Sequence, residues 1–181
     1  CGKDRMNIIG VIGSGTMGNG IAHVSALSGH KVILLDLNQK LLGLGLKKIK
    51  SNMERQIKKD NITEDEMKLA LSNIETTTNI DSLQRCDLII EAATEDTEIK
   101  KNIFRSVNEI STKKTILASN TSSISIDLMA SIIDHPENFI GMHFMNPVPI
   151  MRLVEIIKGG KTSKNTEYKI IKLAEKMGKI P

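Results

Sequence analysis

The chain has 181 residues, of which 40% are hydrophobic and 25% are charged, a balance typical of one globular domain with a core of ordinary size. No apolar run approaches the ~20 residues that a membrane-spanning helix needs, and the net charge is only +4. Because aromatic residues make up just 2% of the chain, the stacking surfaces that bind single-stranded nucleic acid are excluded.

The cysteines and the N-terminus indicate the compartment. Cys1 and Cys86 have neither metal-site spacing nor a disulfide pattern, which is typical of a reducing environment. The first residues, CGKDRMN, lack the apolar core of a secretion signal. We therefore expect a cytoplasmic protein without a metal site, in which residues 1–5 are a disordered leader or an expression remnant and residues 6–181 form the domain.

Residues 6–36 contain the most informative pattern. The β-branched run at 8–12 predicts a buried strand, and the apolar and small residues of 21–27 predict one face of a helix. A second strand is predicted at 31–35, directly before Asp36. Three glycines follow the first strand in the spacing G-x-G-x-x-G: Gly13, Gly15 and Gly18. This order of strand, glycines, helix, strand and acid predicts a dinucleotide site.

Each of these glycines has a physical reason to occupy its position in the turn. Gly13 permits the tight turn after the strand, Gly15 leaves the backbone open to a pyrophosphate, and Gly18 lets the helix lie close to the strand. The helix N-terminus offers unpaired N–H groups and a partial positive charge to the phosphates. Thr16 and Met17, in the first helical turn, join the glycines as candidate cofactor-binding residues. The alternative is a glycine-rich turn that holds no ligand.

Asp36 selects the type of dinucleotide. A carboxylate at the end of the second strand accepts both ribose hydroxyls of an adenosine and repels a 2′-phosphate. The sequence therefore predicts NAD rather than NADP as the cofactor. The alternative for Asp36 is an acid that caps the turn together with Asn38.

Residues 39–71 predict a helical hairpin inserted between the second strand and the next. Apolar residues recur at steps of three and four over 40–59, which predicts a long amphipathic helix. The capping-box pattern from Thr63 to Glu66 predicts a short second helix that ends at about Leu71. Basic residues occupy the other face of the long helix: Lys47, Lys48, Lys50, Arg55, Lys58 and Lys59. These cations form either a solvated surface or a site for a phosphate-rich small molecule.

Strands and helices alternate over the rest of the chain. Strands are predicted at 74–78, 86–92, 116–119, 139–144 and 153–157, and helices at about 99–110, 126–133 and 164–177. This alternation predicts an α/β fold, Rossmann-like and doubly wound around a mostly parallel sheet. Ligands bind beyond the carboxyl ends of such strands. The polar residues that end the strands therefore share one rim of the sheet: Asp36, Glu91, 119–123 and 143–146.

Four stretches carry a resemblance to a known family. They are GVIGSGTMGNGIAHVSALSGHKVILLD, LIIEAATED with Lys100 after it, ILASNTSSISI, and GMHFMNPVPIMRLVEII. Over most of positions 6–181 the chain resembles the N-terminal domain of the L-3-hydroxyacyl-CoA dehydrogenases, particularly the bacterial 3-hydroxybutyryl-CoA dehydrogenases. The most specific signals are SNTSS at 119–123 and the segment that begins HFMNPVP at His143, because generic dinucleotide folds lack them.

The resemblance implies catalytic roles for four residues. His143 is the base that removes the proton of the 3-hydroxyl while hydride passes from C3 to the nicotinamide, and Glu155 holds its tautomer and stabilises its protonated form. Ser122 hydrogen-bonds the substrate oxygen, and Asn146 polarises that oxygen or positions the ring. The chemistry alone supports the histidine–carboxylate pair, because alcohol oxidation needs a base that titrates near neutrality, as imidazole does.

The resemblance also implies binding residues and partners. Glu95 and Lys100 line the cofactor side, and Ser119 and Asn120 lie near the nicotinamide. Because coenzyme A carries phosphates, the basic helix face gains candidate substrate-binding residues: Lys50, Arg55, Lys58 and Lys59. No nucleic-acid or membrane partner is expected, and members of the family are expected to be homodimers through a second, all-helical domain.

Less specific roles stay open for the same residues. His143 is alternatively a structural histidine bonded to backbone at the Pro147 turn, and Glu155 is alternatively a satisfied acid in a strand. Ser122 is alternatively the cap of the helix that follows it. His23, inside the first helix, is expected to pack or to hydrogen-bond locally.

Three functions are consistent with the sequence. The resemblance implies NAD-dependent oxidation of an L-3-hydroxyacyl-CoA to the 3-ketoacyl-CoA, or the reverse reduction, in fatty-acid or butanoate metabolism. The alternatives are a related dehydrogenase of a hydroxyacid without CoA, and a non-catalytic NAD-binding module. In the family a segment like P-G-F-x-x-N-R opens the helical domain, which the sequence ending at Pro181 does not contain. We therefore expect this chain to fold and to bind NAD, but not to support full catalysis alone.

Overall fold

Seven strands form one sheet within the residues that the structure describes, 6–121 and 124–181. The structure is a computed structural model. The strands are β1 (Ile8–Ile12), β2 (Lys31–Leu35), β3 (Ile74–Thr77), β4 (Leu88–Glu91), β5 (Ile116–Ser119), β6 (Phe139–Phe144) and β7 (Val154–Lys158). Their order in the sheet is β3-β2-β1-β4-β5-β6-β7. This arrangement confirms the predicted Rossmann-like sheet, because the strand order reverses beside β1 and the first six strands run parallel.

Helices connect these strands. They are α1 (Thr16–Leu27), α2 (Gln39–Lys58), α3 (Glu64–Ser72), α4 (Thr97–Ile110), α5 (Ile126–Ala130) and α6 (Lys164–Lys176), with short 3-10 helices at Ile80–Arg85 and Pro136–Asn138. The predicted hairpin of α2 and α3 is confirmed. At its second helix the Thr63 hydroxyl accepts from the Glu66 N–H, and the Glu66 side chain accepts from the Thr63 N–H.

The last strand departs from the parallel pattern. β7 pairs with β6 in the antiparallel direction, so that His143 lies opposite Glu155. The chain between β6 and β7 contains two prolines, at Pro147 and Pro149, and no helix. A parallel return needs a crossover of a dozen or more residues, usually a helix, so this short connection allows only the antiparallel direction.

The bounds of several elements differ from the sequence prediction by one to three residues. β4 begins at Leu88 rather than at Cys86, because the 3-10 helix that the sequence did not predict ends at Arg85. α5 ends at Ala130 rather than at Ile133, and turns and bends at 131–134 follow it. α6 ends one residue early, and Gly178 follows it with φ +77°, as a helix-terminating glycine does.

The sheet buries an apolar core on each face. α1, α2 and α6 cover one face, and α4 and α5 cover the other. Cys86 lies in the second core, where burial raises the pKa of its thiol to about 12. No helix in the described part of the chain is long and apolar enough to cross a membrane.

Candidate functional site

The turn between β1 and α1 has the geometry that its glycines predict. Gly13 has φ +98°, a backbone conformation that favours glycine, and a Cβ added there would lie 2.8 Å from the Ala92 carbonyl oxygen. A Cβ on Gly18 would overlap the Gly13 carbonyl oxygen. Both glycines are therefore required for α1 to approach the sheet this closely.

The N-terminus of α1 is open to a ligand. Gly15 is the N-cap residue, no side chain among the described residues caps the helix, and nothing lies within 4 Å of an added Cβ. Gly15 and Thr16 are exposed, and Met17 is half-buried. Free backbone N–H groups and the helix dipole can therefore meet a phosphate here. Direct contacts from Thr16 and Met17 to the cofactor stay predictions.

Asp36 is held in a fixed orientation at the end of β2. Its Oδ2 accepts from the Ser14 N–H at 2.8 Å and from the Ser14 hydroxyl at 2.6 Å, and its Oδ1 accepts from the Leu37 N–H at 2.7 Å. The capping role lies with Asn38, whose side chain accepts from the Leu41 N–H. An oriented carboxylate fits the adenosine ribose of NAD, and Ser14 is a supporting residue that the glycine pattern did not reveal.

A buried polar network lies beneath the neighbouring strand ends. The Lys100 ammonium donates to Glu91 Oε1 at 2.5 Å, and the Ser119 hydroxyl donates to the same oxygen at 2.8 Å. Glu91 Oε2 accepts from the Ala93 N–H. Lys100 and Ser119 are 1% and 0% exposed, so the structure places them under the rim rather than on its open surface. Their contact with the cofactor stays a prediction, and their observed partner is Glu91.

Two further predicted residues lie where β5 ends. Asn120 is buried, and its Oδ1 accepts from the Phe144 N–H at 2.8 Å, which joins the end of β5 to the end of β6. Glu95 accepts a hydrogen bond from the Thr121 hydroxyl at 3.2 Å. Asn120 therefore fixes the strand end that carries His143. Ser122 lies outside the described residues, so its predicted role is untested. The Ser125 side chain is the N-cap of α5.

His143 and Glu155 form a cross-strand pair. His143 Nδ1 lies 3.4 Å from Glu155 Oε2, and their side chains are 21% and 51% exposed. A proton on Nδ1 directed at the carboxylate leaves Nε2 as the free basic nitrogen. The 3.4 Å separation is longer than a good hydrogen bond.

A cleft of about 540 Å³ lies between α1, α2 and the segment that follows β6. Asn146 lines it, and so do Arg55 and Lys59 among the predicted basic residues. Lys50 and Lys58 do not line it, and their contact with the substrate stays a prediction. The wall also contains Lys48, which belongs to the predicted basic face, and Asn52, which the sequence did not indicate. Sequence spacing could have revealed this wall. Its residues follow one another at steps of four, three and four from Lys48 to Lys59, which places them on one helical face.

Comparisons with known proteins match most of the chain. The family model for the 3-hydroxyacyl-CoA dehydrogenase NAD-binding domain matches residues 8–181. A 3-hydroxybutyryl-CoA dehydrogenase of Bradyrhizobium diazoefficiens is 46% identical over 94% of this chain and 58% of that protein. A fatty acid oxidation complex subunit alpha of Acinetobacter baumannii is 38% identical over 99% of this chain and 25% of that protein.

A solved structure also matches nearly the whole chain. The crystal structure of (S)-3-hydroxybutyryl-CoA dehydrogenase from Ralstonia eutropha matches with a TM-score of 0.96 and 41% identity. The match covers 98% of this chain and 62% of that one. The chain thus spans about three fifths of the length of these 3-hydroxybutyryl-CoA dehydrogenases.

Proposed function

Because the chain belongs to the family of NAD-binding domains of 3-hydroxyacyl-CoA dehydrogenases, we propose that its protein interconverts an L-3-hydroxyacyl-CoA, such as 3-hydroxybutyryl-CoA, and the 3-ketoacyl-CoA. The observation that carries the proposal is the His143–Glu155 pair at the carboxyl end of β6. The dinucleotide turn lies at the same edge of the parallel sheet, because it follows the carboxyl end of β1.

The residues around the turn fit NAD. The open N-terminus of α1 suits the pyrophosphate, and the oriented Asp36 carboxylate suits the ribose hydroxyls. NAD, when bound, accepts the hydride that leaves the substrate carbon. Glu95 and Asn120 are the candidate residues on the nicotinamide side, supported by the buried Glu91–Lys100 network below them.

His143 supplies the proton transfer. Its Nε2 takes the proton of the 3-hydroxyl during oxidation and returns it to the ketone oxygen during reduction. The Glu155 carboxylate keeps the proton of the neutral imidazole on Nδ1 and stabilises the imidazolium once it forms. Asn146 lines the adjoining cleft, and its carboxamide is a candidate donor to the substrate oxygen. Ser122 keeps the same predicted role.

The basic wall of the cleft favours a CoA ester over a free hydroxyacid. Arg55, Lys59 and Lys48 line a cavity of about 540 Å³, and they suit the phosphates of coenzyme A. A small hydroxyacid has no group that needs three cations along a helix. The alternatives are a dehydrogenase of a free hydroxyacid and a non-catalytic NAD-binding module. Enzyme kinetics distinguishes both of them from the proposed function.

The test uses the complete gene product with acetoacetyl-CoA and NADH. We expect His143→Gln to lower kcat by at least about 100-fold, and Glu155→Gln to lower it less, with NADH affinity unchanged in both. His135→Gln is the matched control, because His135 and Glu137 form a second 3.4 Å pair away from the rim. Equal kcat values in His143→Gln and His135→Gln would contradict the proposal.

Several expectations extend the proposal. The 181-residue chain is expected to bind NAD but to turn over acetoacetyl-CoA poorly by itself. A homodimer formed through a helical domain and a cytoplasmic location also stay predictions. Acetoacetyl-CoA turnover by the isolated chain at the rate of the complete gene product would contradict the first of them.

A further inference from the structure

A buried histidine faces one carboxamide in the wall of the cleft. His23, on α1, is 0% exposed, and its Nε2 lies 2.8 Å from Oε1 of Gln56 on α2. Gln56 is half-buried and lines the cleft beside Arg55 and Lys59. The other ring nitrogen of His23, Nδ1, is buried and has no hydrogen-bond partner in the described part of the chain.

This geometry determines where the protons lie. A carboxamide oxygen can only accept, so His23 Nε2 carries the hydrogen and Nδ1 is the bare nitrogen. Burial lowers the pKa of His23, and the Lys179 ammonium lowers it further against the opposing effect of Gln56, so the ring is neutral at neutral pH. The reversed carboxamide would require Nδ1–H, a buried donor without an acceptor, which folded proteins rarely contain.

The orientation of Gln56 has a consequence for the cleft. With Oε1 engaged by His23, the amino group of the side chain is the part left to face a ligand. It offers N–H donors and no charge, so the group that it recognises is a neutral acceptor rather than a phosphate. The neighbouring Arg55 and Lys59 supply the charge that phosphates need.

A CoA ester contains such an acceptor in the right part of its structure. Its pantetheine arm, which carries two amide carbonyls, separates the phosphates from the reacting thioester. Lys59 and Asn146 line the same cleft, so a ligand that reaches both groups must lay this arm along the cleft wall. A carbonyl acceptor on the ligand and an oriented donor on the wall are complementary.

We propose that Gln56 is a specificity-determining residue that donates a hydrogen bond to a pantetheine amide carbonyl, and that His23 is the positioning residue that orients it. This inference rests on the proposed function, because it takes a CoA ester as the substrate. Cationic side chains recognise the phosphates, and the proposal adds an uncharged subsite that recognises the pantetheine arm.

Three substrates separate the arm from the phosphates: acetoacetyl-CoA, acetoacetyl-pantetheine, and the S-ethyl ester of acetothioacetic acid, which has no amide. In the complete gene product with NADH, Gln56→Leu should lower kcat/KM for the first two by the same factor, about 5- to 10-fold, through KM. The S-ethyl ester should be unaffected. Lys59→Ala is the matched control and should weaken only the CoA ester.

The outcomes are distinct. If Gln56→Leu changes kcat/KM for all three esters equally, or for none, while Lys59→Ala still weakens the CoA ester, the Gln56 assignment is overturned and the proposed function stands. If the wild-type protein turns over none of the three esters, the proposed function falls and the Gln56 assignment falls with it.

The role of His23 has its own test. His23→Leu removes the ring N–H and should raise KM for the CoA and pantetheine esters about 2- to 5-fold relative to the S-ethyl ester, and His23→Gln, which keeps a donor, should restore part of this. Thermal unfolding is measured alongside. A lower Tm in His23→Leu with an unchanged KM ratio would assign His23 a structural role only and overturn its positioning role.

Discussion

Asp36 accepts three hydrogen bonds from Ser14 and Leu37, and Glu91 accepts three from Lys100, Ser119 and Ala93. Both carboxylates end parallel strands, yet they have different roles. Asp36 is half-buried and can still meet a ligand, whereas Glu91 is completely buried and compensated by Lys100. Position at a strand end therefore does not decide whether a carboxylate is accessible to a ligand; the packing around it does.

Asp36 should control cofactor choice. We expect Asp36→Ala to weaken NAD binding by about 10- to 100-fold, because hydrogen bonds to a charged group are lost, and to improve NADP binding relative to NAD. Titration of the chain with NADH and NADPH, followed by fluorescence, measures both affinities. Glu109→Ala, an exposed acid on α4, is the control and should leave them unchanged. An unchanged preference in Asp36→Ala would contradict the ribose assignment.

Lys100 should be essential for stability. Lys100→Met leaves the Glu91 carboxylate buried without its cation, so we expect the free energy of unfolding to fall by about 3–5 kcal/mol. Urea unfolding of the chain measures the change. Lys101→Met, on the next and more exposed position of α4, should stay within about 0.5 kcal/mol. The double variant Glu91→Gln/Lys100→Met should be more stable than Lys100→Met. If Lys101→Met lowered the free energy of unfolding as much as Lys100→Met does, the buried pair would not be the cause.

At the scale of elements, α2 is shaped by what it packs against. A Cβ added to Gly45 would lie 2.9 Å from Cβ of Ser14, and the Ser14 hydroxyl donates to the Leu41 carbonyl oxygen at 3.1 Å. Gly45 therefore weakens the helix intrinsically but lets it lie directly on the dinucleotide turn. The same contact aligns one face of α2 with the cleft and turns its other cations toward solvent.

The two faces of α2 should differ in substrate binding. We expect Arg55→Ala/Lys59→Ala to raise KM for acetoacetyl-CoA by about 10-fold or more, because charge-assisted contacts to phosphates are lost, with kcat little changed. Lys50→Ala/Lys58→Ala removes the same charge from residues that do not line the cleft and is the matched control. Steady-state kinetics of the complete gene product measure both. Equal KM values in the two double variants would indicate general electrostatic attraction rather than a site.

At the scale of the whole molecule, one sheet edge gathers the cofactor turn and the histidine–glutamate pair. The first six strands are parallel, so their carboxyl ends meet at that edge, and β7 returns antiparallel to place Glu155 opposite His143. The opposite edge and the helix layers contain His23 and His30, each with one buried ring nitrogen that has no partner among the described residues. We therefore expect these two histidines to make the stability of the fold depend on pH.

Stability should fall as the pH drops below about 6.5. Burial lowers the pKa of His23 and of His30 below their ordinary value of 6.5, so in this window the unfolded chain binds protons that the folded chain does not. Each histidine then destabilises the fold by at most about 1.4 kcal/mol per pH unit. Urea unfolding at pH 7.5 and 5.5 measures the loss. His30→Gln should reduce the dependence, whereas His135→Gln, which is exposed, should not.

The sequence by itself determined the elements and the cofactor turn, because these depend on local chemistry. Gly13 adopts a positive φ that favours glycine, and Gly18 leaves no room for a Cβ. The capping box at Thr63 specifies where α3 begins. The HFMNPVP segment marked His143, and it did so through resemblance rather than through periodicity. The apolar face of each helix followed from apolar residues that recur at steps of three and four.

Only the tertiary structure decided which side chains of different elements lie close together. Helical spacing places Lys50 and Lys59 on different faces of one helix, but only the packing of α2 on Ser14 decides that the face with Lys59 meets the cleft. Lys100, predicted at the cofactor, is buried against Glu91, and His23 contacts Gln56 from 33 positions away. Such pairings depend on how close the elements approach in space, and sequence spacing carries no information about distances between elements.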